Sequence, residues 1–366
     1  MGDLCARTCE MFRKVIISIV VLLLSFSALA QSEKLYLDTN FNFDFDNTEY
    51  SGSGLGTSET LFGISLAPAL RFEWSKYHTL SAGVNMQKMF GSVRFLDKID
   101  LIAYYQFRNE HYGAVAGLFR RDRLIGRYSE TFFSNVWLAN NRIVQGLALQ
   151  YHDKSGYAEL VADWNGMYSA ECREQFRILF SGEGRFAKVI YAGASAEMHH
   201  YANRSTFQYN VVDDIVVNPY LGVDFKAFFD FDIRLGYLQS LQRDRLMGGG
   251  WQTPMGGEIY LRLSRWGVFI SNNLYLGKNL LPLYNSVGKE GTIYGSDLYA
   301  ADPFYGTTTG IYNRTGIGYE RNFCKERIKV KAEFVLKTDG KRVYNQQIIS
   351  CGVNIAPKLY DKNNKK

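Results

Sequence analysis

Proline is scarce, six in 366 residues. Because proline breaks helix interiors and central strands, its rarity leaves room for long regular elements along the chain. Cysteine is scarce too, five in all, with only Cys172, Cys324 and Cys351 after residue 30. No CxxC spacing occurs, which excludes a zinc knuckle and a disulfide-dense scaffold. Cys324 falls in an expected turn and Cys351 in an expected strand, so two unpaired small residues is the simpler reading, with a disulfide as the alternative. After residue 30 no apolar run approaches the ~20 residues that a membrane-spanning helix needs. The net charge of +6 becomes +5 when Arg7, Arg13, Lys14, Asp3 and Glu10 leave with the first thirty residues. That is too mild to argue for nucleic acid. Gly248-Gly249-Gly250 lacks the strand-to-helix context of a nucleotide loop, and Asp44, Asp46 and Glu49 lack the glycine of a calcium loop. Neither a metal nor a cofactor is expected.

What is abundant is aromatic and small: 25 Tyr, 25 Phe and 34 Gly. Aromatic residues suit strands, and glycine suits turns and bulges. Residues 1–30 read as an export signal. Arg13 and Lys14 precede the apolar run 15–24, and Ala28-Leu29-Ala30 is a small-x-small cleavage site. Asp3, Glu10, Cys5 and Cys9 fit such a signal poorly, which points to Met11 as the start. Residues 31–356 then form one unit, followed by a basic tail, 357–366.

Residues 34–46 show the logic of that unit. Leu35, Leu37, Thr39, Phe41, Phe43 and Phe45 share one face, and Asp38, Asn40, Asn42, Asp44 and Asp46 share the other. The pattern recurs in about sixteen strand candidates. Early ones are 60–74, 78–90, 98–108, 112–119, 142–152, 156–165, 174–181 and 186–198, the last two joined by a turn at Ser181-Gly182-Glu183-Gly184. Later ones are 214–225, 229–240, 257–264, 267–277, 309–321, 326–337 and 343–355. Pro219, Asn272 and Lys88 break the alternation locally, so the count is sixteen within about two.

Connection lengths sort by parity. Those after even strands are short and those after odd strands are generally longer, as in a barrel with tight turns at one end and long loops at the other. The fold class expected is all-β: a transmembrane antiparallel up-and-down barrel with both termini periplasmic. A charged side chain facing lipid at mid-depth costs ~2–4 kcal/mol. Asp230, Asp232, Arg234, Arg327, Lys329, Lys331 and Glu333 are therefore expected to face the lumen. Trp74 and Trp266 flank short turns, where an interfacial aromatic girdle belongs.

Taken together, these features resemble bacterial outer-membrane β-barrel proteins, porin-like ones of this size in particular. Gln31 after the cleavage site resembles exported proteins of the Bacteroides group. The resemblance is one of pattern and covers nearly all of the chain after the signal. It implies an outer-membrane location, with the lipid bilayer and lipopolysaccharide as partners. It also implies a homo-oligomer in many relatives, which no residue here specifies. The chain departs from such barrels at its end, which runs into Pro357 and a basic tail, with Tyr360 near the close.

The expected function is passive diffusion of small hydrophilic solutes. Arg120, Arg121, Arg123 and Arg127 open a long connection that would fold in and bias passage towards anions. The alternative is a closed structural or interaction barrel. His199, His200 and Ser205 raise a surface hydrolase as a third reading. No nucleophile elbow or HExxH helix accompanies them, so the chain is expected not to be an enzyme.

Overall fold

The computed structural model describes residues 33–50, 58–206, 211–246, 250–288, 291 and 293–362. The expected export signal lies outside the described residues. Among the described residues no helix is long and apolar enough to cross a membrane, which says nothing of strands.

The strands are β1 (Lys34–Glu49), β2 (Glu59–Glu73), β3 (His78–Met89), β4 (Lys98–Arg108), β5 (Tyr112–Arg120) and β6 (Ile143–His152). They continue with β7 (Gly156–Gly166), β8 (Gln175–Arg185), β9 (Ile190–Tyr201), β10 (Val212–Lys226), β11 (Asp230–Asp244) and β12 (Met255–Arg265). The last are β13 (Val268–Gly277), β14 (Ile311–Phe323), β15 (Ile328–Thr338), β16 (Val343–Ile355) and a short β17 (Lys358–Asp361). Each strand from β1 to β15 pairs antiparallel with the next, and β1 pairs with β2 on one side and with β16 and then β17 on the other. The sheet thus closes into a sixteen-strand antiparallel barrel, which removes every exposed strand edge.

Closure at the seam differs from the simplest reading of the sequence. The expected tail begins inside the wall. Pro357 lacks an N–H, so the ladder of β16 stops there, yet its carbonyl accepts from the Leu37 N–H at 3.1 Å. β17 then resumes the pairing with Lys34 to Tyr36. A second difference lies at 181–184. That segment is not a turn: Ser181 pairs with Ser195 and Gly184 with Ala192, and the chain reverses only at 186–189. Its glycines suggested a turn, but Gly182 and Gly184 sit in the outward row of β8 and the ladder runs through them, while some inward glycines elsewhere make room for rings. The Tyr220 hydroxyl lies where a Cβ on Gly193 would stand, and the Tyr191 ring does the same at Gly222.

The two rows of each strand sort as their chemistry requires. Leu66, Leu70, Leu101, Leu149, Leu160, Leu235 and Phe334 point out and are exposed. Asn40, Asp46, Ser65, Gln87, Glu159, Asp163, Ser195, Glu258 and Glu333 point in and are buried. The three breaks in the alternation are absorbed locally. Lys88 donates back to the Ser92 carbonyl at 2.8 Å, Asn272 bonds Thr315 at 2.8 Å on the next strand, and the Asn218 amide donates to the Tyr237 carbonyl beside Pro219. The outward assignment makes a direct prediction. Leu160, 47% exposed near the middle of β7, becomes costly as arginine. Leu160→Arg should lower folding stability in lipid vesicles by ~2–4 kcal/mol in a urea titration, whereas Leu160→Phe should change it little.

The short turns and both described chain ends lie at one end of the barrel, since Lys34 pairs with Glu73 beside the first turn and with Asp361. Trp74 stacks on His78 at 5.7 Å and on Tyr105 at 6.0 Å there. Trp266 takes a left-handed backbone, φ 55°, at the tip of the β12–β13 turn, under the Arg265 guanidinium at 4.1 Å. Cys172, Cys324 and Cys351 are unpaired; Cys324 sits in the β14–β15 turn and Cys351 on β16.

Candidate functional site: a barrier inside the barrel and the cleft above it

A sixteen-strand wall alone would leave an aqueous channel. Two connections occupy that space. The first, 121–142, leaves β5 and runs along the inner wall. The backbone N–H groups of Ile125 and Gly126 donate to the Glu159 carboxylate on β7 at 2.7 and 2.9 Å. The Arg127 N–H donates to Ser181 on β8 at 2.9 Å, and its carbonyl accepts from Ser195 on β9 at 2.6 Å. The segment then spans the lumen: Glu130 meets Arg314 on β14 at 2.9 Å, on the far side of the barrel from β6. A short helix, α1 (Asn135–Asn140), is capped by Ser134, whose hydroxyl accepts from the Trp137 N–H at 3.2 Å. It ends beside Arg142, which pairs with Asp44 on β1.

The second connection, 278–310, folds in from β13 and meets the first. The Ser134 N–H donates to the Ala300 carbonyl at 2.7 Å, and the Asp302 N–H to the Glu130 carbonyl at 2.8 Å. Its side chains reach β11, β12, β13 and β15, and its backbone reaches β9. Tyr305 bonds Glu258 on β12 at 3.2 Å and Asn273 on β13 at 2.9 Å. Tyr294 donates to Asp244 on β11 at 2.7 Å. The Leu298 carbonyl lies 3.0 Å from His199 Nδ1 on β9. Asp302 pairs with Lys337 on β15 and accepts from the Tyr50 hydroxyl at 3.2 Å.

Polar anchors surround a dry centre. Phe304, Tyr305 and Tyr312 have no exposed surface, nor do the inward wall residues Val115, Phe119, Val144, Val161 and Leu179. Water in an open lumen would wet these groups. Burying an aromatic or aliphatic side chain of this kind contributes ~1.5–3 kcal/mol, so the packed layer is a stable part of the fold. Burial, then the Asp302 charge, raises the Tyr50 phenol well above its ordinary range. Burial, then Glu258, does the same for Tyr305, so both stay neutral hydrogen-bond donors.

The arginines singled out in the sequence are all at this barrier, each held by wall or loop groups. Arg120 pairs with Asp122 at 2.8 Å, and Arg121 with Asp163 at 2.6 Å. Arg123 donates to Gln106 at 3.4 Å and lies 3.9 Å from Asp38. Arg127 meets Glu183 at 3.2 Å. Burial alone would weaken the Arg127 charge, but Glu183, Tyr220, Asp232 and Tyr157 together outweigh it and hold the guanidinium above its ordinary pKa. Arg121, Arg123 and Arg127 tie the infolded segment to the wall, while Arg120 pairs locally with Asp122, so the four do not form an unpaired ring. The other candidates scatter. Asp232 accepts from Tyr191, Arg234 lies 4.0 Å over the Tyr260 ring, and Lys331 and Arg314 both hold Glu333. Lys329 is exposed on β15 and Arg327 lines the cavity below the barrier. Asp230 sits at an exposed turn beside Lys226.

A cavity of about 520 Å³ lies below the barrier, at the turn end, lined among others by Arg120, Arg123 and Arg327. A cleft of about 480 Å³ lies above it, at the loop end. Its walls are rings (Tyr50, Trp137, Tyr284, Tyr299), amides (Asn165, Gln175) and charges. Arg177, Lys337 and Asp302 are paired, whereas no described residue forms an ion pair with the exposed carboxylates of Glu59 and Asp297. Amides and carboxylates between aromatic faces suit a sugar-like polar ligand, and the volume suits a small one. Sequence reasoning missed Glu159, Asp163, Asp297, Asp302 and Lys337. The inward spacing of Glu159, Val161 and Asp163 was a usable signal for the first two. The pair His199 and His200 cannot work together, because adjacent strand residues point to opposite faces. His199 is buried inside and His200 faces out, while Ser205 lies in the following loop.

Comparison with known proteins gives two kinds of likeness. The chain is similar in fold to the outer membrane protein OprD from Pseudomonas aeruginosa (8% identity, 90% of this chain and 96% of that one, TM-score 0.50). It is likewise similar to OpdO from the same organism (8% identity, 89% and 98%, TM-score 0.50). A porin of Rhodopseudomonas blastica follows at 12% identity, 88% and 100% coverage and a TM-score of 0.43. No curated relative matches. The family model of lipid A 3'-O-deacylase-type proteins matches residues 28–205. That match overturns the expectation that the chain is not an enzyme, because it points to a hydrolase. What stands is a sixteen-strand barrel with the fold of outer-membrane porins, whose residues 28–205 are similar to lipid A 3'-O-deacylase-type proteins.

Proposed function

We propose that the protein is an outer-membrane hydrolase that removes an ester-linked acyl chain from a lipid A-type glycolipid. Its short-turn end faces the periplasm and its loop end faces outward. The observation that carries this reading is the packed layer that Phe304 and Tyr305 of the second infolded segment form with Tyr312 of β14 inside the barrel. It directs the chemistry to the outer cleft rather than to passage through the lumen. The similarity of residues 28–205 supplies the reaction class.

Ester hydrolysis needs a base for water, donors for the oxyanion and a proton for the leaving oxygen. Glu59 and Asp297 are the cleft carboxylates without a described ionic partner, and Asp297, whose neighbour Leu298 accepts from Arg177, serves as the base. Gln175 and Arg177 line the same cleft and supply donors. Water attacks the acyl carbon, Asp297 takes the proton, the bond to the sugar oxygen breaks, and that oxygen receives the proton back. The products are a fatty acid and a glycolipid with one hydroxyl more.

The test is mass spectrometry of purified lipid A after incubation with the detergent-solubilised protein. Loss of one acyl chain is expected, slowed ~100-fold or more by Asp297→Asn. An unchanged lipid A together with steady solute conductance in planar bilayers would remove this reading in favour of a diffusion channel.

A further inference from the structure

We infer that the outer surface of β7–β11 carries a binding site for a phosphate of an outer-leaflet glycolipid headgroup. The proposal takes its glycolipid from the function proposed above, but it rests on a different face of the wall.

Trp164, Phe176, His200, Asp213 and Arg243 occupy one continuous register row across five neighbouring strands. All five point out, and each is within two residues of the loop-side end of its strand. They touch in sequence. Trp164 stacks on Phe176 at 5.1 Å, and Phe176 on His200 at 5.0 Å. His200 Nδ1 lies 3.5 Å from Asp213. Arg243 reaches Asp213 at 3.2 Å and Arg245 reaches it at 2.7 Å. Arg243 also lies 4.6 Å over the Trp251 ring.

Two arginines and a histidine therefore share one carboxylate. Even with His200 neutral, the cluster keeps one excess positive charge on the outside of a membrane barrel. Its Arg243 Nε is buried and has no hydrogen-bond partner among the described residues. One register step towards the membrane centre, the outward residues are Ala162, Ile178, Met198, Ile215 and Leu241, which carry no polar side-chain group. The charge thus stands at the boundary between an apolar band and the loops. A lipid whose acyl chains lie along that band brings its headgroup to this height. Guanidinium groups bind phosphate oxygens in paired hydrogen bonds, and the flanking tryptophans suit the same interface. The inner face of the same rim holds Asn165 and Gln175 of the cleft, one strand thickness away. A bound phosphate would hold the sugar beside that cleft.

The test measures binding without turnover. Native mass spectrometry of the full protein in detergent, titrated with bisphosphorylated lipid A and with its dephosphorylated form, should show at least ~tenfold preference for the phosphorylated lipid. Arg243→Gln with Arg245→Gln should abolish the preference, and Arg243→Lys with Arg245→Lys should keep most of it. Heat-dependent gel migration verifies that both variants fold. Equal binding of the two lipids by the native protein, or equal loss in the Gln and Lys pairs, would overturn the site. Inorganic phosphate alone should compete only weakly; full competition at millimolar concentration would assign the cluster to a free anion instead. The two proposals fail separately. Preference for phosphate without acyl release removes the hydrolase alone, and acyl release without preference removes this site alone.

Discussion

Replacing residues 281–306 by a short Gly/Ser link is expected to turn a poorly conducting barrel into a conducting one. In planar bilayers the intact protein should pass little steady current, because its inward wall residues are packed rather than wetted. Removing the second infolded segment takes away Phe304 and Tyr305, the tyrosines bonded to β11 and β12, and the Asp302 N–H bond to Glu130. The first segment would remain, still fixed to Glu159, Ser181 and Arg314. Partial opening is therefore expected from this change alone. Shortening 124–139 as well should raise conductance at least ~tenfold, towards that of an empty sixteen-strand pore. A large conductance in the intact protein, unchanged by either deletion, would show that the packed layer does not close the lumen in a membrane.

The second large effect concerns Lys337 and Asp302. Lys337 points inward from β15 with 1% of its surface exposed, and its ammonium is held by Asp302. The rings of Tyr50 and Phe304, in contact with each other, each lie 5.6 Å from it. Asp302 → Ala leaves a buried ammonium without its carboxylate, which typically costs ~3–5 kcal/mol. Lys337→Met leaves the carboxylate with only the Tyr50 hydroxyl and the Phe304 N–H. Because the Asp302 carboxylate ties the second segment to Lys337 on β15 and to Tyr50, the single changes should release that segment before the wall unfolds. Limited proteolysis should then cut within 278–310 in folded protein. The double change, Asp302→Ala with Lys337→Met, removes both charges and should recover most of the loss, since an apolar pair needs no partner. Additive losses in that cycle would mean that the pair does not couple the segment to the wall.

The arginine cluster shows how far local pattern reaches. Four arginines at the start of a long connection marked the place where the chain enters the lumen. The struts made by Arg121, Arg123 and Arg127 were not legible, because the groups that receive them are remote: Asp163 lies 42 residues from Arg121, and Asp38 and Glu183 lie on other strands, whereas Arg120 pairs with Asp122 beside it. The misplaced turn at 181–184 has a related cause. Glycine signals a turn by its own backbone freedom, but here neighbouring strands continue the ladder through it. The histidine pair was decided the other way. Alternation alone separates His199 from His200, and the structure adds that the outward one belongs to a charged row spread over five strands.

What the sequence determined by itself is the wall. Side-chain direction in a strand repeats every two residues, so polarity along each segment fixes which row meets lipid, and loop lengths fix which end is which. These are local properties, readable wherever a strand is long enough. What only the tertiary structure decided is whether the lumen is open. The closure depends on pairings such as Asp302 with Lys337, Glu130 with Arg314 and Ile125 with Glu159, between residues far apart in the chain. Each partner alone looks like an ordinary polar residue. Only when the barrel closes do a loop donor and a wall acceptor face each other in a space without water, where leaving either unpaired is costly.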